Sequence, residues 1–312
     1  MEQNNSVKVY LALAMTVIGW GLSFVATKIA LESFPTFTLV FARFGLASCL
    51  FGILLIRSGF PSFSRKEHAK VFLTAFFEPG LYFIFETIGL QYTTAPKTAL
   101  IIATIPIAVT VFAAIFLGER TPLIRAMCIG ISLVGIAILV VGDPNFSWNL
   151  GGTLFGDLLI CGAVISASFY IICARDLGRR HSALDITSLQ IFYGAILYAP
   201  AFLWELPGIT WGAITGRSVI AMIYLTVFAT VIAFICYNYA LTQISASRAS
   251  VFINCIPVVT AFGAWILLGE TLTPLQAGGG ALVLFSAFLT NLPMFQTSAR
   301  KLKKSVANAA SA

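Results

Sequence analysis

Ten apolar stretches follow one another through this chain, each near the roughly 20 residues that one bilayer-spanning helix requires. They lie at about 8–30, 37–56, 70–91, 95–118, 122–142, 152–174, 184–204, 217–241, 246–268 and 274–294. Hydrocarbon offers no water to a bare peptide group, so such segments must be helices that satisfy their own backbone. The expected fold class is all-α integral membrane, with ten transmembrane helices in 312 residues and no stretch polar enough for a separate soluble domain. Only 10% of the residues are charged, against about 25% in an ordinary soluble protein. The third stretch is the least clear, because it carries Glu78 and Glu86, and the seventh holds Gln190.

The formal charge of +7 raises the question of nucleic acid, but the 19 basic residues are scattered singly or in small groups beside apolar segments. No basic patch or stripe is formed, so no nucleic-acid partner is expected. Basic loop residues instead orient a membrane protein. With the N-terminus cytoplasmic and ten spans, fifteen basic residues fall on the cytoplasmic side and three, Lys28, Lys97 and Arg217, on the other; Arg43 is left within the second span. That bias predicts cytoplasmic termini at both ends, and one extra or missing span would scramble it. The first apolar stretch has full transmembrane length and nine more follow, which argues against a cleaved signal peptide. All six cysteines lie inside apolar segments without a CxxC pair or a histidine partner, and read as small buried hydrophobes, not metal ligands or disulfides.

The chain also repeats itself. Residues 95–119, APKTALIIATIPIAVTVFAAIFLGE, and 246–270, ASRASVFINCIPVVTAFGAWILLGE, are identical at nine of 25 positions at an offset of 151. Lys97 and Arg248 correspond as well, and Pro122 matches Pro274 after a one-residue insertion. The repeat unit covers half the chain and holds five helices, so the boundaries expected are 1–142 and 143–294, followed by a basic, disordered cytoplasmic tail at 295–312. Five is odd, so the two halves must enter the membrane in opposite directions. Inverted repeats are a mark of secondary transporters, in which two equivalent halves exchange conformations around a central site.

With the paired A-x-[KR]…IP…LGE segments, the WGLSFVATK stretch from Trp20 to Lys28 and the FAR of Phe41–Arg43, the sequence resembles the EamA family of the drug/metabolite transporter superfamily over nearly its whole length. The resemblance implies two inverted five-helix repeats around a central cavity lined mainly by helices 1, 3, 4, 6, 8 and 9, and the export of amino acids or other small metabolites. It also makes helix 2 peripheral.

Several residues are candidates for that cavity. Pro106 and Pro257 sit mid-span at equivalent positions, where each removes a backbone hydrogen bond and is expected to kink its helix, shaping either a binding site or only the bundle. Glu78, followed by Pro79 and Gly80, is an intramembrane carboxylate that should face protein or a watery cavity. It would receive a substrate ammonium or a coupling proton, or else pair structurally with a cation such as Arg43. Tyr82, four residues on, would lie on the same face. Glu86 reads as a vestibule or interface residue. Arg43 reads as structural, with a substrate-carboxylate site as the alternative, and Lys97 and Arg248 as snorkelling anchors, with gate residues as the alternative.

Trp20 beside Gly21 gives an aromatic wall at a close helix approach. Tyr170, Tyr237, Asn238 and Asn254 would orient a small polar ligand, or serve as ordinary interhelical hydrogen bonds. Glu119 and Glu270 would organise the turn after each LGE, and Gly278-Gly279-Gly280 would permit close packing, in a dimer contact for instance.

The Walker A, HExxH and dinucleotide fingerprints are missing, so no cofactor, metal or enzymatic chemistry is expected. The two histidines, His68 and His181, stand too far apart in sequence to point to a site. The function expected is alternating-access export, across a bacterial inner membrane, of small amphipathic metabolites, amino acids including aromatic ones. Nucleoside-like or cationic drug-like compounds are the alternative substrates, a membrane-embedded enzyme is the alternative class, and protons are a candidate coupling ion. Substrate identity, energy coupling and oligomeric state are not legible in the residues.

Overall fold

The computed structural model describes residues 2–59, 61–117, 123–148, 152–174, 181–243, 252 and 254–291, and every regular element among them is helical. The order is α1 (Glu2–Gly21), α2 (Ser23–Leu31), α3 (Thr36–Ser58), α4 (Arg65–Ala75), a π-helical segment (Phe76–Leu81), α5 (Tyr82–Gly89), α6 (Ala95–Ile102), α7 (Ile105–Leu117), α8 (Leu123–Val141), α9 (Thr153–Ala174), α10 (Ala183–Glu205), α11 (Gly216–Tyr224), a second π-helical segment (Leu225–Ile232), α12 (Ala233–Gln243), α13 (Ile256–Leu268) and α14 (Pro274–Asn291). Among the described residues seven stretches are long and apolar enough to cross a membrane: Val7–Leu31, Thr36–Arg57, Arg65–Gly89, Ala95–Phe116, Thr153–Cys173, Leu184–Gly208 and Gly216–Tyr237. Three shorter apolar helices accompany them: Ala126–Val141, Ile256–Leu268 and Pro274–Leu289. Large apolar side chains such as Ile56, Ile220 and Trp204 stand more than two-thirds exposed, a surface suited to hydrocarbon and not to water. Cys49 and Cys255 belong to that surface and are not buried as the sequence reading expected. The chain is a multi-pass helical membrane protein.

The offset of 151 carries α4 onto α11, the first π segment onto the second, α5 onto α12, α7 onto α13 and α8 onto α14, within three residues at every end. Packing follows the same exchange. α5 lies against α9, and its counterpart α12 lies against α1; α3 packs on α10, and α8 on α14. The packing of α14 on α8 and on α6 explains two of the three consecutive glycines. A Cβ on Gly279 would lie 2.7 Å from the Gly135 carbonyl oxygen, and one on Gly280 would lie 2.6 Å from Leu100, while Gly278 faces open space. The dimer contact expected of this run gives way, at Gly279 and Gly280, to packing within the chain. Because the obstruction at Gly279 is backbone, Gly279→Ala should lower the unfolding temperature in detergent and cost about 1–3 kcal/mol, while Gly278→Ala leaves it unchanged. Equal stability of the two variants would show that α8 and α14 do not pack this closely.

Polar side chains gather at the two ends of the bundle. At one end capping boxes start α4 (Ser64 with Glu67) and α10 (Ser182 with Asp185). There His181 meets Glu67 at 3.1 Å, His68 meets Tyr193 at 2.8 Å, and both imidazoles pack on Phe63, so the two histidines are neighbours despite their separation in the chain.

The opposite end is sealed more heavily. Glu205 accepts from the backbone N–H of Phe37 and Thr38 at the start of α3. Glu270 accepts from Lys28 Nζ at 2.5 Å and from the Ala95 N–H at 2.8 Å. It therefore ties α2 and α6 to the segment after α13, and does not organise its own turn; Glu119 lies outside the described residues. Lys97 does not snorkel. Its side chain is fully buried, with Nζ 2.8 Å from Asp143 and 2.7 Å from Asp157.

Candidate functional site

The middle of the bundle is built around two interrupted helices. Between α4 and α5 the chain leaves α geometry for a single π turn, and Glu78 within it takes extended dihedrals, φ −143° and ψ 116°. Pro79 is the local cause, since it offers no N–H and pushes the residue before it out of the α region. An interruption in hydrocarbon survives only where neighbours satisfy the freed backbone. Here Ser166 donates to the Phe77 carbonyl at 2.8 Å, Gln190 donates to the Glu78 carbonyl at 2.5 Å, and the Tyr198 hydroxyl donates to the carbonyls of Pro79 and Gly80. Gln190, Gly194 and Tyr198 recur every four residues and so form one stripe of α10. That stripe offers the break an amide, a notch and a phenol in turn.

The second π segment has no proline. Its Thr230 hydroxyl donates to the Leu225 carbonyl at 2.9 Å and accepts from Arg43 Nε at 2.8 Å, while Trp20 Nε1 donates to the Ala229 carbonyl at 3.1 Å. Under the repeat, Ala229 is the counterpart of Glu78 and Thr230 that of Pro79.

Beside the first break lies a small cavity, about 10 Å³ of water-accessible space, whose lining includes Arg43, Glu78, Phe83, Gln190 and, from the second broken helix, Phe234. That is room for about one water. The Arg43 guanidinium lies 4.6 Å from the Phe83 ring centre, a cation–π contact. Glu86, 2% exposed, lies within electrostatic reach of Arg43 and accepts from the Thr87 hydroxyl at 3.1 Å. It is a core residue, not the vestibule group that its position had implied. Among the described residues no carboxylate comes within ion-pair distance of Arg43, so a cation and a carboxylate border one cavity without neutralising each other directly.

Four residues singled out by sequence lie around this cavity without entering its lining. Trp20 packs on Phe234 and Tyr237, each at 5.2 Å between ring centres. Tyr170 lies within electrostatic reach of Glu78 and Tyr237 and in hydrogen-bond reach of Gln190. Tyr82 stays close enough to feel Glu78 and Glu86, but the break at Pro79 cancels the simple four-residue relation, and its ring is buried against Phe83 and α9.

Asn254 sits apart, in the gap before α13, with its amide nitrogen buried and lacking a hydrogen-bond partner among the described residues. The Asn238 side chain lies outside the described residues. Pro106 and Pro257 do not kink continuous helices. Each occupies the first turn of a new helix, α7 or α13, where its missing N–H is harmless. The chain breaks just before them, with equivalent turns in both halves: Thr104 N–H to Ile101 and Cys255 N–H to Phe252.

Sequence reasoning passed over Gln190 and Phe234 and placed Arg43 at the periphery. A glutamine in an otherwise apolar stretch was the available signal for the first.

Comparison with known proteins agrees with this architecture. The EamA-like transporter family matches twice, over residues 7–141 and 154–292. An uncharacterized transporter of Archaeoglobus fulgidus is 28% identical over 91% of this chain and 98% of its own length. The uncharacterized transporter YetK of Bacillus subtilis is 26% identical over 93% and 88% respectively. A probable terminal-alkyne amino-acid exporter of Streptantibioticus cattleyicolor is 23% identical over 90% and 92%. A solved crystal structure with 16% identity superposes with a TM-score of 0.63 over 92% of this chain and 98% of the other, a likeness of fold. With two copies of the family's unit spanning nearly its whole length, the chain belongs to the EamA-like transporter family.

Proposed function

We propose that this protein exports small amphipathic metabolites, amino acids with aromatic ones among them, by alternating access across a bacterial inner membrane. The observation that carries the reading is the pair of π-broken helices, related by 151 residues, that meet over a cavity bordered by Glu78, Arg43 and aromatic rings. Discontinuous helices at equivalent positions of two repeats are where secondary transporters bind substrate. Glu78 supplies a counter-charge for an ammonium, Arg43 one for a carboxylate, and Trp20, Tyr170 and Tyr237, around the cavity, supply apolar rings with polar edges.

In this reading the seven long and three short apolar helices make ten spans, the halves 1–142 and 143–294 are inverted, and both termini are cytoplasmic. Protons are the coupling ion. The amino-acid exporter named among the relatives supports the substrate class.

Purified protein in liposomes loaded with single labelled amino acids tests the proposal. Saturable efflux, competed by related amino acids and responsive to an imposed pH gradient, is the expected result. Folded protein that moves no amino acid would transfer the assignment to nucleoside-like or cationic drug-like compounds, for which Glu78 alone supplies the charge.

A further inference from the structure

At the sealed end, opposite the N-terminus, an ionic network crosses the seam between the two halves. Glu270 accepts from Lys28, Lys28 also donates to the Thr93 carbonyl at 2.8 Å, and the Thr93 hydroxyl donates to Asp157 at 2.8 Å. Lys97 then bridges Asp157 and Asp143. Both ammoniums come from the first half and all three carboxylates from the second. The core of this network is buried: the side chains of Lys97, Asp143 and Asp157 are 0%, 5% and 2% exposed.

Two carboxylates share one ammonium there. Asp143 accepts in addition from the Asn145 N–H, at 2.9 Å, and Asp157 from Thr93. Asp157 Oδ2 approaches the same Lys97 Nζ at 2.7 Å. Among the described residues, the remaining titratable groups nearby add no positive charge. Cys161 is the next turn of α9, and Tyr92 packs its ring on Phe155. With both aspartates ionised the cluster would hold a surplus negative charge out of water, which is costly. One proton shared by the aspartates leaves a neutral Lys⁺/carboxylate/carboxylic-acid set.

We propose that Lys97, Asp143 and Asp157 form a proton-binding site, which holds one proton while this end of the bundle is sealed and releases it to water when the end opens. The site itself stands on this geometry. Its consequence, that opening for transport responds to pH on this side, rests on the carrier reading above.

Infrared spectroscopy of the purified protein tests the site without any substrate. Asp157→Asn and Asp143→Asn should each fold and each lack one protonated-carboxyl band that the wild type shows at neutral pH. The double variant strands a buried ammonium and should lose most of its folded yield, and adding Lys97→Met should restore it. Wild-type stability should fall with a slope of one proton as pH rises from the ordinary carboxylate range, where the unfolded aspartates ionise, to the pH at which the folded site gives up its proton, and should level off above it. In either single variant that slope should disappear. An unchanged band in both single variants, or single variants as damaging as the double, would overturn the proposal. So would a melting temperature that follows sodium concentration at fixed pH with no protonated band at any pH.

Discussion

Replacing Glu78 by glutamine should lower amino-acid efflux from liposomes roughly 30- to 150-fold, the equivalent of the 2–3 kcal/mol carried by a charged hydrogen bond in a desolvated site. The variant should still insert and fold. Everything that neighbouring helices require of residue 78 passes through its main chain, where Gln190 donates to the carbonyl, and the extended dihedrals follow from Pro79. The side chain borders the cavity instead.

The companion change Arg43→Gln separates the two substrate classes. It should impair zwitterions to a similar degree, through loss of the guanidinium that faces a substrate carboxylate, but spare cations that lack one. If correctly folded Glu78→Gln protein transports at the wild-type rate, the cavity between the broken helices is not where substrate binds.

The large architecture was legible because it rests on composition and periodicity. Ten apolar stretches and a repeat at 151 residues are enough to anticipate a helical membrane bundle in two halves, and α7 and α13 begin and end at matching residues. The interruptions were harder to read. Between the two π segments the repeat preserves one residue, Phe77 with Phe228, and the proline that breaks the first is a threonine in the second. What the halves share there is a backbone shape held by partners on other helices, and single-sequence patterns carry no record of such partners.

Pro106 and Pro257 did mark interruptions, but proline is at home in a first helical turn, so the breaks fall just ahead of them. Lys97 misled for a related reason. A lysine near the start of an apolar helix ordinarily reaches for the interface, and nothing local to Lys97 announces Asp143 and Asp157, which lie well down the chain.

The two helices that hold the breaks from outside give the second large effect. α3 and α10 each run for 23 residues, and each packs at the interruption belonging to the other half. Arg43 crosses to Thr230 with a long side chain; Gly194 admits Pro79 by having none. A Cβ added at Gly194 would sit 2.3 Å from Pro79 Cγ. A proline ring cannot swing aside as the end of a leucine can, so either α10 or the π turn must move.

Gly194→Ala should therefore cost about 2–3 kcal/mol of stability, a typical penalty for overpacking. It should also cut transport more than that loss explains, since Gln190 and Tyr198 on the same stripe would be pulled from the Glu78 and Gly80 carbonyls. Gly45→Ala is the matched control, because nothing lies within 4 Å of its added methyl and the change trades glycine for a better helix former. Thermal unfolding in detergent and efflux from liposomes, run on both variants, decide the matter. A Gly194→Ala protein as stable and as active as Gly45→Ala would mean that α10 does not pin the Pro79 turn, and that the break at Glu78 is held by its own half alone.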